Sequence, residues 1–224
     1  MTRLRPEVVA FDVNETLLDL APVRAALVEA GEPATLLPTV FTRTLLTGIA
    51  AATTGSWCRF RDAFDAALAQ ETDLGEDARA RVAAAFGELA PHADVEPALR
   101  RLAEAGVRVV TLTHGSPGVA EAGLARGGIT PLVERSLSSE VIRAWKPSRK
   151  VYLWAAGTCG VAPERMALVA AHGWDVLGAQ RAGLTAAWFP RGERTYPAVY
   201  EQPHVAAGDL GAVVDALVAL PTDA

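Results

Sequence analysis

The sequence predicts an α/β fold with a parallel sheet, and three observations lead to this prediction. Residues 7–13, EVVAFDV, form a short apolar run with the β-branched residues of a buried parallel strand. Helical patterns without a convincing strand then occupy residues 23–90. After Pro91, helices and short apolar runs alternate, which is typical of βαβ units with right-handed crossovers.

The helical block has four consecutive helical patterns: VRAALVEAG, LLPTVFTRTLLTGIAAATTG, FRDAFDAALAQ and EDARARVAAAFGELA. Because the first strand is separated by this block from the other strands, residues 21–90 are predicted to be a helical insertion after strand one. Residues 1–20 and 91–224 are then predicted to form one core domain with a Rossmann-like parallel sheet.

The later strands are predicted at the runs VRVVTLT, SLSSEVIR, RMALVAA and LTAAWFP. Helical patterns precede and separate them: VEPALRRLAEAG, PGVAEAGLARGG, SRKVYLWAAGTCG and WDVLGAQRAG. In such a sheet the ligand crevice lies beyond the carboxyl ends of the strands. The residues that follow each strand are therefore the candidates for function.

Composition narrows the class of function. The chain has 224 residues, of which 50% are apolar, and its formal net charge is −5. This charge gives no long-range attraction to nucleic acid or to anionic lipid, so we expect a small-molecule substrate and neither a nucleic-acid nor a membrane partner.

Cys58 and Cys159 lack the spacing of a zinc site or a disulfide framework, and charges interrupt each long apolar stretch, so the cytoplasm is the expected location.

Polar side chains of complementary charge follow the predicted strands. Asp12 and Asn14 follow the first strand, residues 113–116 the second, and residues 172–175 the fourth, while Lys146 lies in a loop. Desolvating a carboxylate costs several kcal/mol unless it is paired, and Lys146 would both pair with Asp12 and keep it ionised and nucleophilic. The alternative is that Asp12 only caps a turn and Lys146 lies on the surface.

Four stretches carry a resemblance to a known family: FDVNETLLDL, VVTLTHGSPG, WKPSRKVY and ALVAAHGWDVLGAQRAG. In order and spacing they resemble the four motifs of the haloacid dehalogenase superfamily, most closely its type II 2-haloacid dehalogenase branch. The resemblance implies an α/β core with a helical cap inserted after strand one, which assigns residues 21–90 to the cap. It also implies that Asp12 is the nucleophile, Thr16 its hydrogen-bonding neighbour, Lys146 the family lysine and Asp175 the acid that completes the site.

The resemblance also implies the substrate-binding side chains. Thr113 falls where the family has a serine that binds the substrate carboxylate. Tyr152 matches a family tyrosine, and Trp174 matches an aromatic pocket wall. Phe60 either lines the same cavity or is an ordinary core aromatic, and Asn14 belongs to the substrate side of the site.

The family uses an arginine of the cap to receive the leaving halide. Arg43 is the only arginine between Arg24 and Arg59, so it is the candidate. Counting residues from Asp12 places Arg43 at the position of the family arginine, whereas alignment on the later segment TTGSWCRF displaces it from that position by about two residues.

The choice of reaction depends on two positions. Phosphatases of the superfamily have a second aspartate two residues after the nucleophile and a metal-binding acid near the last motif, where this chain has Asn14 and Ala171. An amide releases no proton at neutral pH, and a methyl group offers Mg²⁺ no ligand. A leaving halide needs neither, so we expect metal-independent and cofactor-independent hydrolysis of short 2-haloacids through an ester on Asp12.

This chain departs from the family at further positions that line the site. Histidine replaces asparagine at His114 and at His172, Ala170 replaces a serine, and Glu15 replaces a small residue. One interpretation is that each histidine simply takes over the amide hydrogen bonds. The alternative is that a protonated His114 holds the halide and a neutral His172 orients or deprotonates the hydrolytic water. Glu15 is expected to point away from the chemistry, and the alternative for this residue is that it narrows the pocket.

Two other functions stay open at this point. One is a phosphatase acting on a small phosphate ester. The other is a catalytically silent homologue that binds a small carboxylate or a partner protein. A homodimer is expected by family analogy alone.

Overall fold

The centre of the molecule is a six-stranded parallel sheet, seen in a computed structural model that describes residues 3–222. The strand order is β5-β4-β1-β6-β7-β8. The strands are β1 (Val8–Phe11), β4 (Arg108–Thr113), β5 (Arg135–Ser138), β6 (Met166–Ala170), β7 (Thr185–Trp188) and β8 (Val205–Ala206). The predicted α/β class is confirmed, and the outermost residues of the predicted core, 1–2 and 223–224, lie outside the described residues.

Strand β1 shows why the sheet is buried on both sides. It pairs in parallel with β4 on one side and with β6 on the other, and its four residues are buried. Val9 and Phe11 belong to one apolar cluster, whereas Val8 and Ala10 belong to a second one. Because successive side chains of a strand point to opposite faces, β1 contributes to a core on each face of the sheet.

The helices that cover the sheet follow the strands in the order expected for βαβ units. They are α5 (Val95–Glu104), α6 (Pro117–Arg126), α7 (Arg149–Thr158), α8 (Gly173–Ala182) and α9 (Leu210–Val218). Neither β8 nor α9 was predicted from the sequence. The sequence does contain a signal for the start of α9, namely Asp209, a residue type that is preferred at helix N-caps. In the structure the Asp209 side chain accepts a hydrogen bond from the Ala212 N–H at 2.8 Å and so caps the helix.

The segment between β1 and β4 is mainly helical. Its α-helices before residue 85 are α1 (Ala21–Glu29), α2 (Leu37–Thr53), α3 (Phe60–Glu71) and α4 (Glu76–Ala84). A two-stranded antiparallel ribbon of β2 (Leu18–Asp19) and β3 (Ala90–Pro91) joins the points where the chain enters and leaves this segment. The helical segment is thus inserted after β1, as the sequence pattern indicates.

Helix α2 and helix α3 pack against each other through faces with helical spacing. The buried positions of α3 are Phe60, Ala63, Phe64, Ala67 and Leu68, which lie three or four residues apart. Together with the turn before it, α2 covers residues 34–53 and is by length and composition long and apolar enough to cross a membrane. A core helix of a soluble protein meets the same criteria, and α2 uses its buried face to pack on α3.

Candidate active site

The carboxyl ends of the strands bring the predicted polar residues together. Asp12 directly follows β1, Thr113 ends β4, and His172 precedes α8, which carries Asp175 in its first turn. Lys146 lies in the loop before α7. All five side chains are buried, and hydrogen bonds link four of them: Asp12, Lys146, His172 and Asp175.

The Lys146 ammonium is the centre of this cluster. Its Nζ donates to Oδ1 of Asp12 at 2.7 Å, to Oδ2 of Asp175 at 2.6 Å and to the carbonyl oxygen of Leu112 at 2.9 Å. Three donors thus meet three acceptors. The Tyr152 hydroxyl donates to Oδ1 of Asp175 at 2.6 Å, so both oxygens of Asp175 are occupied by side-chain donors.

Burial and charge set the ionisation of these groups. Burial opposes the charged form of Asp12, but Lys146 and then His172 hold the pKa of Asp12 well below its ordinary value. Burial likewise opposes a charged Lys146, but Asp12 and Asp175 raise the pKa of its ammonium. Burial raises the pKa of Asp175 and, together with the Asp175 carboxylate, raises that of Tyr152 well above its ordinary value. Asp12 is therefore held as an ionised carboxylate at neutral pH.

The two oxygens of Asp12 have different surroundings. Oδ1 accepts from Lys146, whereas Oδ2 accepts from the Thr16 hydroxyl at 2.7 Å and lies 3.0 Å from Nδ1 of His172. Thr16 is held in place because its own oxygen accepts from the Ala171 N–H at 3.0 Å. Each carboxylate oxygen has about two lone pairs, so Oδ2 is saturated while Oδ1 keeps one lone pair free.

His172 bridges two carboxylates. Nδ1 faces Asp12, and Nε2 lies 2.9 Å from Oε2 of Glu15. Burial opposes the charged ring, but the hydrogen bonds with Asp12 and Glu15 raise the pKa of His172 to about 10. The alternative with a neutral His172 is thus wrong, and so is the expectation that Glu15 points away from the chemistry. Glu15 has a φ of 61°, a left-handed conformation that is uncommon for a residue with a side chain.

This protonation makes stability depend on pH with a definite sign. The pKa of His172 is raised from 6.5 to about 10, so its contribution is complete below pH 6.5 and is lost as pH rises towards 10. We expect the unfolding free energies of wild type and His172→Asn, measured in urea, to converge between pH 6.5 and pH 9.5 by on the order of 3 kcal/mol. Equal slopes of stability against pH in the two proteins would contradict this assignment.

His114 is neutral, contrary to one of the two interpretations drawn from the sequence. Burial, and then the nearby Lys146, keep the pKa of His114 well below its ordinary value, so the ring is neutral. Its Nδ1 lies 3.4 Å from the Ser139 hydroxyl, and its Nε2 has no hydrogen-bond partner among the described residues. The alternative with a protonated His114 is therefore wrong, but a neutral ring with Nε2–H keeps one free donor.

Aromatic rings surround the histidines. Trp174 stacks on His172 with centroids 5.5 Å apart and on His114 with centroids 5.8 Å apart, and its ring lies 5.7 Å from the Lys146 ammonium. Trp145 contacts His114 with centroids 4.4 Å apart. The rings restrict access of water to the charged cluster and so strengthen its electrostatic interactions.

The expected position of Arg43 needs correction. Its Nε forms an ion pair with Glu71, and 43% of its side chain is exposed, so it lies on the outer side of α2. The residue of α2 that reaches the site is Phe41, whose ring stacks on His172 with centroids 6.1 Å apart. Each helical residue turns the side-chain direction by about 100°, so a two-residue shift moves a side chain to nearly the opposite face. The alignment on TTGSWCRF indicated such a shift.

We expect Arg43→Ala to change kcat/KM for the 2-haloacid that the sequence resemblance implies less than about twofold, because the side chain is paired with Glu71 and surface ion pairs contribute ~0–1 kcal/mol. Halide release measured beside wild type tests this. A loss of about a hundredfold would show that Arg43 reaches the halide in solution.

A cavity of about 380 Å³ lies between α3, α4 and the loop after β4. Its lining residues are Asn14, Arg59, Phe60, Arg61, Phe64, Ala83, Ala84, Phe86, Gly87, Thr113, Gly115, Ser116, Val119 and Glu140. Phe60, Asn14 and Thr113 thus line a cavity, whereas Asp12, which is 6% exposed, is not among its lining residues. Oδ1 of Asn14 is buried and has no partner among the described residues, so it is available to a ligand.

Asn14 has an amide at the position where the sequence resemblance implies the proton-donating acid of a phosphatase, and Ala171 has a methyl group at the position of the implied metal-binding acid. Among residues 3–222, no group of three or more His, Cys, Asp or Glu side chains is arranged to hold a metal ion. In the cluster itself, both oxygens of Asp175 are already occupied by Lys146 and Tyr152.

Proteins of similar sequence include (S)-2-haloacid dehalogenases. The chain is 27% identical over 143 residues to an (S)-2-haloacid dehalogenase of Pseudomonas sp. strain YL. The aligned region covers 64% of this chain and 62% of that protein. An (S)-2-haloacid dehalogenase of Pseudomonas putida is 28% identical over 134 residues, 60% of each chain. The chain thus spans about three fifths of the length of these relatives.

Solved structures match over nearly the whole chain. An L-2-haloacid dehalogenase superimposes with a TM-score of 0.88 and 26% identity, covering 97% of this chain and all of the other. The L-2-haloacid dehalogenase of Xanthobacter autotrophicus with chloropropionic acid covalently bound has the same fold, with a TM-score of 0.87, 22% identity and 96% and 99% coverage. The family model for haloacid dehalogenase-like hydrolases matches residues 6–183. On this match and on the site described above, the chain belongs to the haloacid dehalogenase-like hydrolase family.

Proposed function

We propose that this enzyme hydrolyses 2-haloacids to 2-hydroxyacids through an ester on Asp12, without a metal ion. One observation carries the proposal: a buried, ionised Asp12 whose Oδ1 is held by Lys146 and keeps one lone pair free. The names of the relatives, (S)-2-haloacid dehalogenases, support the same substrate class. The helical segment 21–90 serves in this proposal as the cap.

In the first half-reaction, Oδ1 of Asp12 attacks C2 of the acid from the side opposite to the halogen. A carbon–oxygen bond forms, and the halide leaves with the electron pair of the carbon–halogen bond. A chloride or bromide ion needs no proton to leave, so the site requires no general acid at Asn14. Lys146 offsets the repulsion between the attacking carboxylate and the substrate carboxylate.

We propose that Thr113 and the backbone N–H groups of the following loop bind the substrate carboxylate. Oγ1 of Thr113 accepts from the Gly115 N–H at 3.1 Å, which leaves its own hydroxyl proton for the substrate. The free Nε2–H of neutral His114 then donates to the leaving halide, in place of an asparagine amide. Trp174, Tyr152 and Phe60 shape the site around these contacts.

We propose that the cavity next to this site accommodates a C2 substituent larger than a methyl group. Its volume of about 380 Å³ lies within the range of small-molecule sites, ~300–1,000 Å³. We expect Ala83→Phe to lower kcat/KM for 2-chloro-3-phenylpropionate at least tenfold (~1.4 kcal/mol) and that for 2-chloropropionate less than about twofold. Ala80→Phe on the same helix is the matched control, since Ala80 is exposed and does not line this cavity. Equal losses for both acids in Ala83→Phe would contradict the assignment of the cavity.

Halide release from (S)-2-chloropropionate in buffer that contains a chelator tests the proposed reaction. We expect chloride and lactate in equal amounts. Phosphate release from a generic phosphate ester upon addition of Mg²⁺, with no chloride from the haloacid, would contradict it.

We also propose a cytoplasmic location, which the free thiols of Cys58 and Cys159 support. The homodimer stays a prediction drawn from the family resemblance.

A further inference from the structure

His172 is the feature of the site that departs furthest from the pattern expected from the sequence. Both of its ring nitrogens face carboxylates, at 3.0 Å from Asp12 and 2.9 Å from Glu15, and its side chain is 8% exposed. A family asparagine at this position has an amide, which carries no charge. The imidazolium is therefore an additional positive charge beside the reacting carboxylate.

The hydrogen bonds assign separate roles to the two oxygens of Asp12. Oδ1 has the free lone pair and attacks the substrate, so it becomes the bridging oxygen of the ester. Oδ2 then becomes the ester carbonyl oxygen, and it already lies at 2.7 Å from the Thr16 hydroxyl and at 3.0 Å from Nδ1 of His172. These are the distances at which donors stabilise an oxyanion in acyl transfer.

We propose that Thr16 and protonated His172 form the oxyanion hole for hydrolysis of the Asp12 ester, and that Glu15 keeps His172 protonated during this step. The inference rests on the proposed function, because it concerns the second half of the same reaction. His172 touches a reacting atom and is a catalytic residue in this scheme. Glu15 acts through His172 and is a positioning residue.

The step balances as follows. The oxygen of a water molecule bonds to Cγ of Asp12, and the electron pair of the carbonyl moves onto Oδ2, where the two donors receive it. The pair then returns, the Cγ–Oδ1 bond breaks, and Oδ1 leaves as the hydroxyl oxygen of the product. One proton of the water ends on that hydroxyl and the other in solvent, while Asp12 regains a carboxylate.

Glu15 is needed because ester formation removes the negative charge of Asp12. The charged groups that face His172 are Asp12 and Glu15 after β1, Lys146 bonded to Asp12, and Glu193, which accepts from the Gly173 N–H at 3.0 Å. His114 nearby is neutral. Once Asp12 is esterified, Glu15 is the only carboxylate with a hydrogen bond to the ring among the described residues, so the proton on His172 depends on it.

Rapid-quench kinetics with enzyme in excess over (S)-2-chloropropionate, with the ester measured by mass spectrometry, separate the two half-reactions. In Glu15→Gln we expect ester formation within about threefold of wild type. Ester decay at pH 8.5 should be at least about tenfold slower, with a rate that falls as pH rises from 6 to 9, because an unsupported imidazole loses its proton near 6.5. His172→Ala should slow decay by ~10²–10³-fold. His172→Asn is the matched control, since its amide donates at every pH, and its decay should be slowed without this pH dependence.

Three results would overturn the inference. Ester decay in Glu15→Gln equal to that of wild type would remove the role of Glu15, and a decay rate that rises with pH would show that His172 acts as a base. Absence of an ester in every variant, wild type included, would instead refute the proposed function and this inference with it.

A second measurement needs no turnover. In Asp12→Asn the side chain is neutral, as in the ester, so the titration of His172 by NMR reports the influence of Glu15 alone. We expect the pKa of His172 in Asp12→Asn to lie at least about one unit above that in Asp12→Asn combined with Glu15→Gln. Equal values would overturn the role of Glu15 even if dehalogenation itself is confirmed.

Discussion

Asp12→Asn is expected to lower kcat/KM for (S)-2-chloropropionate by at least ~10⁴-fold, the scale on which loss of a nucleophile acts in enzymes with covalent intermediates. The amide has nearly the shape of the carboxylate but lacks its charge and its nucleophilic lone pair at Oδ1. It also loses the attraction of Lys146 and His172, which both donate to Asp12. Chloride release and single-turnover kinetics measure the effect.

Asp73→Asn is the matched control for this substitution. Asp73 is exposed in the loop between α3 and α4, so the same chemical change there should leave turnover within about twofold. Thermal unfolding of both variants verifies that each is folded. Turnover by folded Asp12→Asn at the wild-type rate would show that another group attacks the substrate.

Lys146→Met is expected to destabilise the fold by ~3–5 kcal/mol and to reduce turnover by ~10³-fold. Its side chain is fully buried and lies between Asp12 and Asp175, so removal leaves Asp175 without a counter-charge and Asp12 with His172 alone. In wild type the lowered pKa of Asp12 contributes stability that is present above pH 3.8 and is lost as pH falls. The stability difference between variant and wild type should therefore shrink below about pH 4, as urea unfolding at several pH values would show.

Lys150→Met gives the control for this variant. Lys150 is one turn away in α7 and exposed, and within residues 3–222 its ammonium donates only to the Ile142 carbonyl at 3.2 Å, so its loss should cost less than about 0.5 kcal/mol. Equal stability losses in the two lysine variants would contradict the role assigned to Lys146.

The fold and the core of the site were predictable because they depend on local patterns. Buried strands alternate with helices, and residues at the carboxyl ends of parallel strands converge at one edge. Asp12, Lys146 and Asp175 follow from that rule and from their complementary charges. The strand β8 has only two residues, too few for a period-two pattern, and so left no signal.

The prediction that Arg43 binds the halide was wrong because the direction in which a helical side chain points changes by about 100° with each residue. Arg43 and Phe41 are two residues apart on α2, which places them on opposite faces. The residues between Asp12 and Arg43 include α1 and the turn before α2. A difference of two residues in the length of this connection decides which of the two side chains, Arg43 or Phe41, faces the site. The spacing alone contains no information on which of them faces the core.

The alternative that assigned charges to the two histidines was wrong for a different reason. His172 and Glu15 lie 157 positions apart, and their contact depends on the left-handed turn at Glu15. His114 is neutral because burial removes it from water and Lys146 lies close by. Such effects arise from tertiary packing, which residue type and spacing do not contain.

The central claim is that Asp12 forms a bond to carbon and that water then attacks Cγ of the resulting ester. One turnover with excess enzyme in heavy-oxygen water, with a chelator and (S)-2-chloropropionate, tests it most directly. The account predicts that the heavy oxygen enters the Asp12 peptide and that the lactate of this first turnover contains none. Heavy oxygen in that lactate, with an unlabelled Asp12, would show that water attacks C2 directly and would contradict the account.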